Sequence, residues 1–253
     1  MAPVDDSLLG RILAIDIGAT NIKFCQVDYQ GALLGSIRRK HTPHPCSPQR
    51  LVELLADRIN RSGAKSVGVG FPGEFDDGIV IRPGNLSRPG GVTTEKDPDL
   101  DAQWRGFTLQ DALRTATNCD VRVVNDAKMA ALGCCNGEGV ELVLTLGTGF
   151  GLALSMDGVL QKVRDVGAEI FEDGLTYDQL LGERARSLGE AKWSRKLVKA
   201  VRNFSEEFGA STVHLAGGNA RRVAPGFFAP LACRVEIDGN QAPLHGAAKL
   251  FYS

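Results

Sequence analysis

The chain repeats a strand–turn–strand pattern about half its length apart. "IDIGATNIKFCQVDYQGALL" (15–34) and "LTLGTGFGLALSMDGVL" (144–160) each run from an apolar strand through a Gly/Thr turn into a second strand. An Asp and Gly hairpin and a third strand follow in both. The turns centre on Gly18 and Gly147. As a duplication, the echo restricts the chain to two similar units facing one ligand. As a coincidence, it is two hairpins built from the same turn residues, since Gly and Asp are common where strands reverse.

The rest of the chain alternates in the same manner. Strand-like runs fall at 12–17, 22–28, 32–37, 66–71, 78–82, 121–124, 141–146, 151–156, 212–216 and 233–237, and helical periodicity at 48–61, 107–117, 127–133, 176–187 and 190–208. Hairpins first, then strands alternating with helices, predict mixed α/β sheets with helices packed on them. Residues 83–106, rich in Gly, Pro, Asp and Thr, read as an irregular loop, either a linker or a substrate loop. A final helix is expected from about Gly246.

With 253 residues, 43% of them hydrophobic, the chain can bury one large core or two small ones. A net charge of −1 gives no field directed at nucleic acid or an anionic membrane, so an anionic ligand must be held by a local site. The N-terminus, with Asp5 and Asp6, lacks a signal-peptide pattern, and no apolar run approaches the ~18 residues of a spanning helix. Six cysteines (25, 46, 119, 134, 135, 233) form no CxxC pair and are read as free thiols in a reducing cytosol, with Cys134-Cys135 a vicinal pair.

Besides the Gly18 turn, two glycine segments could serve phosphate or nucleotide. Glycine turns expose backbone N–H groups where the backbone must approach a ligand closely. "TLGTGFG" supplies Thr145, Gly147, Thr148 and Gly149, and it is neither a P-loop nor a dinucleotide fingerprint, because no GK[ST] follows and a strand comes next. "LAGGNARR" supplies Gly217, Gly218 and Asn219 after a strand. Taken singly, each reads first as a structural turn. Asn125 and Asp126 stand between a strand and a helix, either as a helix cap or with Asp126 as a general base at a strand's carboxyl end.

In their order, the first strand–turn, "GFPGEFDDGIVIRPGNL", "VVNDAKMAALG", "TLGTGFG", "AGGN" and "PLHGAAKL" resemble the ROK family of sugar kinases, within the hexokinase/actin-like ATPase superfamily. The resemblance covers essentially the whole chain and is nearest to the polyphosphate glucokinase branch, whose "TY…W" segment has counterparts in Thr176, Tyr177 and Trp193. It implies two actin-like, ribonuclease H-like α/β domains around a central cleft: 1–120 joined by a C-terminal helix 244–253, and 121–243. Asp16, Gly18, Thr20 and Asn21 would form a first phosphate loop, with Lys23 supporting the phosphates and Asp16 near the Mg²⁺, through water. Thr145, Gly147, Thr148 and Gly149 would form the second, and Gly217, Gly218 and Asn219 the nucleotide site. Asn85, Asn125, Asp126 and Asp165 would face the sugar, and Asp126 would take the proton of the attacking hydroxyl. The donor would be ATP or polyphosphate and the acceptor a hexose, glucose first, in a cytoplasmic homodimer that binds neither nucleic acid nor membrane.

The chain departs from the family at three places. The Cys-rich zinc run is absent. "NDAK" places Lys128 where the family has an acid. "RDVGAEI" has Asp165 and Ala168 where the family's sugar motif has Glu and His. A non-catalytic sugar- or phosphate-binding regulator is therefore the alternative. A DNA-binding form is not expected, because only about eleven residues precede the first strand.

Overall fold

The computed structural model describes residues 10–223 and 225–252. Two compact units divide the chain: residues up to Met129 with those from Pro243 onward, and Ala130–Ala242. The first unit holds strands β1 (Ile12–Ile17), β2 (Asn21–Val27), β3 (Arg38–His41), β4 (Ser66–Phe71), β5 (Glu74–Asp76), β6 (Ile79–Arg82) and β7 (Asp120–Asn125), with helices α1 (Pro48–Ser62), α2 (Pro98–Trp104) and α3 (Leu109–Thr117). Helix α4 (Asp126–Cys134) runs across the division. The second unit holds β8 (Val140–Leu146), β9 (Phe150–Met156), β10 (Val159–Gln161), β11 (Ile170–Glu172), β12 (Leu175–Thr176), β13 (Thr212–Ala216) and β14 (Arg234–Gly239), with α5 (Tyr177–Leu181), α6 (Glu183–Leu188) and α7 (Glu190–Phe208). Helices α8 (Ala242–Gly246) and α9 (Lys249–Tyr252) end the chain.

The main sheets have one topology. The order β3-β2-β1-β4-β7 in the first unit matches β10-β9-β8-β13-β14 in the second. In each, two antiparallel pairings are followed by two parallel ones. The echoed segments are the central hairpins, β1–β2 and β8–β9. β1 is buried along its whole length because it has a strand on either side and cover on both faces. The ends of α1 follow local chemistry: Ser47 caps it, Pro48 occupies the first turn, and Gly63 closes it in the left-handed conformation. Its buried stripe, Leu51, Leu55 and Ile59, joins a core with Ile15, Ile17, Val67 and Val69. In the second unit Trp193, Leu197, Val201 and Phe204 of α7 pack on Leu142, Leu144 and Leu146 of β8.

Several expected elements are placed differently. Residues 32–37 form no strand: only a Val27–Leu33 bridge is made, and the edge strand is the fully exposed Arg38–His41. The apolar pattern of 32–37 reflects packing instead, since Leu33 and Ile37 lie on a cluster of Ile12, Ala14, Met129, Leu244 and Ala247. Segment 83–106 contains α2, capped by Asp97, with Trp104 buried and its indole N–H donating to the Cys46 carbonyl (2.8 Å). The expected helix 176–187 is broken at Gly182 into α5 and α6. The terminal helix expected from Gly246 instead ends there, and α9 follows. β7, assigned from sequence to the second domain, pairs with β4 in the first sheet. No helix among the described residues is long and apolar enough to cross a membrane.

Alternate glycines flatten one face of β4. A Cβ on Gly68 would lie 2.9 Å from the Ala247 Cβ, and one on Gly70 would lie 2.7 Å from Met129 Cε and 3.4 Å from Asp126 Cα. The missing side chains let the terminal segment and α4 approach the sheet. Gly68→Val should therefore destabilise the protein by about 1–3 kcal/mol, the usual cost of overpacking. This would be read as a lower denaturant midpoint at unchanged m-value. An unchanged midpoint would rule out the close packing of Ala247 on β4.

Candidate active site

The first unit gathers its polar residues at the carboxyl ends of parallel strands, where ligand crevices form in α/β sheets. Asp16 on β1 pairs with Gly70 on β4, which pairs with Val124 on β7. With neighbouring strands ~4.8 Å apart, Asp16 and Val124 are about 10 Å apart along this row, and Asn125 and Asp126 follow directly. Asp16 is buried and accepts a 2.7 Å bond from Lys23 Nζ, its cross-strand partner. Lys23 therefore neutralises Asp16 directly. A carboxylate at this position suits a hard cation that keeps most of its water and takes its other oxygens from phosphates.

The turn after β1 is held from outside. Gly18 N–H donates to the Asn21 carbonyl (3.0 Å), and a Cβ on Gly18 would stand 2.8 Å from that oxygen. The Gly18 carbonyl accepts from Thr42 Oγ1 (2.6 Å), the Ala19 carbonyl from His44 Nε2 (3.0 Å) and the Thr20 carbonyl from Thr42 N–H (3.0 Å). Thr20 itself is exposed. Sequence reading missed Thr42 and His44, which carry no motif and act only through the fold.

The alternatives at 125–126 separate by residue. Asn125 is the cap: its Oδ1 accepts from the backbone N–H groups of Ala127 (2.9 Å) and Lys128 (3.1 Å). Its Nδ2 donates to the Gly73 carbonyl (2.8 Å) and to Asp126 Oδ1 (3.1 Å). Asp126 opens the first turn of α4, where Oδ1 also accepts from Ala127 N–H (2.8 Å). The Pro72–Gly73 turn also meets the Asn85 segment, since a Cβ on Gly84 would lie 2.3 Å from the Pro72 carbonyl oxygen. Asn85 and Asn125 thus flank one turn, with Asn85 Oδ1 accepting from Arg88 Nε (3.0 Å).

The second unit brings its two glycine segments together. Thr145 on β8 is in register with Ala216 on β13, so the turns after these strands are neighbours. Gly217, at φ +94, lies against Leu146, whose carbonyl oxygen would be 2.4 Å from a Cβ there; only glycine fits. Asn219 N–H donates to the Leu146 carbonyl (3.0 Å) and its Nδ2 to the Gly147 carbonyl (3.2 Å), binding turn to turn. A Cβ on Gly147 or Gly218 would meet nothing within 4 Å, so ligand can approach the backbone at both. Gly217, Gly218, Arg221, Gly239, Asn240 and Gln241 line a cavity of about 160 Å³.

The break at Gly182 belongs to this arrangement. A Cβ on Gly182 would lie 2.4 Å from the Thr148 carbonyl oxygen, and the next N–H, of Glu183, donates to the Gly147 carbonyl (2.9 Å). The Arg186 guanidinium, bonded to Glu183, holds that carboxyl below its ordinary range. Asp178, also missed from sequence, accepts from Phe150 N–H (2.7 Å) and would stand 2.6 Å from a Cβ on Gly149. Its only sequence signal is its place beside Thr176 in a capping box. Tyr177 stacks on Phe171, and Trp193 is buried with its N–H on the Leu181 carbonyl (2.8 Å), so the Tyr and Trp of "TY…W" act in packing while Thr176 caps α5. Asp165 and Ala168 are exposed, and the Asp165 carboxylate accepts from Gly167 N–H (3.2 Å), as in an Asx-turn.

Paired five-stranded sheets of one order, each ending in a glycine turn, are the mixed α/β actin-like ATPase fold. Residues 12–169 match the ROK family, and the chain belongs to it. Over 255 aligned residues it is 28% identical to a polyphosphate glucokinase of Mycobacterium leprae, covering 94% of this chain and 74% of the relative. Among solved structures, the inorganic polyphosphate/ATP-glucomannokinase of Arthrobacter sp. strain KM superposes with a TM-score of 0.76 at 28% identity, covering 95% of this chain and 98% of that one. A ROK family glucokinase from Streptomyces griseus, solved with glucose and AMPPNP, gives 0.74 at 20% identity, covering 95% and 99%, and supports the fold.

Loss of the Asn125 side chain should cost stability through the cap. Asn125→Ala is expected to lower unfolding free energy by about 0.5–2 kcal/mol, while Asn125→Asp, which keeps an oxygen at the cap, should recover most of it. Equal losses in the two variants would place the weight on the donor bond to Gly73 instead.

Proposed function

We propose that the chain is a sugar kinase transferring the terminal phosphoryl group of ATP or polyphosphate, with Mg²⁺, to a hexose, glucose the first candidate. The observation that carries this reading is the division of labour at the start of α4: Asn125 makes the cap, so Asp126 need not, and its carboxylate lies at the sheet's carboxyl end. Names of relatives, among them a polyphosphate glucokinase and a glucokinase of Halalkalibacterium halodurans, support the same class.

In this reading Asp126 accepts the proton of a sugar hydroxyl as its oxygen forms a bond to the terminal phosphorus and the bond to the leaving phosphate breaks. The N–H groups and hydroxyls of Gly18, Thr20 and Asn21, and of Thr145, Gly147, Thr148 and Gly149, hold phosphate oxygens, with Lys23 adding positive charge. Gly217, Gly218 and Asn219 form the site for a nucleotide donor. Asp16 would hold Mg²⁺, which when bound offsets charge on the phosphates. Asn85 and Asn125 orient the sugar.

Asp126→Asn should lower kcat by roughly 10²-fold or more with little change in thermal midpoint, because the cap is Asn125's. Full turnover in this variant would remove Asp126 from the reaction.

One observation favours the regulator reading: Asp165 and Ala168, at the sugar-motif positions, are exposed, and Asp165 is engaged by its own turn. Two lost hydrogen bonds of roughly 0.5–1.5 kcal/mol each weaken glucose binding by about ten- to a hundredfold. The double change Asp165→Glu with Ala168→His should then lower KM for glucose, measured with each donor. No improvement, with another hexose already turned over well, would make glucose the wrong acceptor. Sugar binding without turnover in either form would establish the regulator.

A further inference from the structure

The second sheet has one face on the α7 core and another carrying buried polar groups. On that other face lie Glu141 of β8, Ser155 of β9, His214 of β13 and Asp238 of β14. His214 is fully buried, and Glu141 and Ser155 are 1% exposed. His214 Nε2 lies 3.2 Å from Glu141 Oε1, and Nδ1 lies 3.1 Å from Asp238 Oδ2. The vicinal cysteines at the end of α4 close the set. The Cys134 thiol donates to the Ala130 carbonyl (3.1 Å) within the helix. Ligand atoms of Cys134, His214 and Asp238 lie within 4.8 Å of one another, as do those of Cys135, Glu141 and His214. Ser155, directly cross-strand from Glu141, has a buried hydroxyl with no hydrogen-bond partner.

We propose that Cys134, Cys135, His214 and Asp238 bind one divalent cation of the zinc class. Two sulfurs, one imidazole nitrogen and one carboxylate are a tetrahedral zinc donor set, and bond lengths of 2.0–2.3 Å place such atoms about 3.3–3.8 Å apart. Cys134 and Asp238 share one triad with His214, and Cys135 lies in the second triad around the same imidazole, so bringing all four to that range takes side-chain movement of Cys135 and Asp238. The two carboxylates have different parts. Glu141 is held by the N–H groups of Asn136 (2.9 Å) and Gly137 (2.8 Å), so it stays in place and accepts the His214 Nε2 proton. That outer bond fixes the tautomer that frees Nδ1 for the metal, a usual arrangement around metal-bound histidine. Asp238, partly exposed, then moves from Nδ1 to the cation and marks its entry side. Binding displaces both thiol protons and the Nδ1 proton that His214 shares with Asp238 to solvent, with no change of oxidation state. The ligands come from the end of α4, from β13 and from β14, so the cation clips that helix end to the sheet of its own unit. This set is not the family's Cys-rich run, which the chain lacks.

The test is a cobalt(II) titration of the reduced, metal-stripped full-length protein. One equivalent should develop thiolate-to-cobalt charge transfer and tetrahedral d–d bands, zinc should bleach them, and zinc should raise the thermal midpoint. No saturable band at one equivalent would overturn the site. The double variant Cys134→Ser with Cys135→Ser should lose the band, and its persistence would assign the metal to other thiols. A mapping experiment on the unaltered protein covers the case in which that variant does not fold. Bound zinc should slow alkylation of Cys134 and Cys135 at least tenfold and leave Cys119 and Cys233 unchanged, whereas equal rates with and without zinc would refute the proposal.

Discussion

The side-chain amide of Asn125 joins the start of α4 to a turn that nothing in local sequence would bring to it. Its oxygen ends the exposed donors of α4, and its nitrogen reaches back 52 residues to the Gly73 carbonyl and forward to Asp126. The direction in which α4 leaves the sheet, the place of the Pro72–Gly73 turn and the first-turn carboxylate are therefore set by one planar group. An amide serves because it both accepts and donates. A carboxylate there would keep the cap and give up only the two donor bonds, to Gly73 and to Asp126.

The second unit reaches an equivalent result by another route. Its sheet has the same strand order, yet the glycine turn after β8 is tied to helix α6 and to the turn after β13. Where the first unit uses Thr42 and His44 from beyond its edge strand, the second uses the Glu183 N–H and the Asn219 amide. A duplicated framework has thus been fitted with unrelated supports, which is why the echo survives in the hairpins and fades elsewhere.

What could be read from sequence follows from that contrast. β1, β8 and β13 were legible because central strands are apolar over most of their length, and α1 and α7 because their buried stripes keep helical spacing. The glycine turns were legible as turns, and family order supplied their grouping. Segment 32–37 misled because apolar side chains report burial, which packing against Leu244 and Ala247 satisfies without pairing. The Gly182 break was hidden because the constraint lies on the partner, the Thr148 carbonyl, and not within the helix. Asp178, Thr42 and His44 were silent for the same reason: each acts on backbone distant in sequence. The choice between Asn125 and Asp126 as cap needed the direction of two adjacent side chains, which composition does not encode.

The two glycine turns share a polarity that bears on selectivity. The carbonyls of Gly18, Ala19, Thr20 and Gly147 are each bound by a donor from the surrounding fold. Lone pairs that would face an incoming ligand are thereby turned into the protein, and the outward dipole of each turn is biased toward its N–H groups. Such a surface discriminates by the sign of the ligand's charge without carrying much charge itself. On the proposed reading, a chain of net charge −1 meets an anionic donor through these N–H groups and not through its overall field.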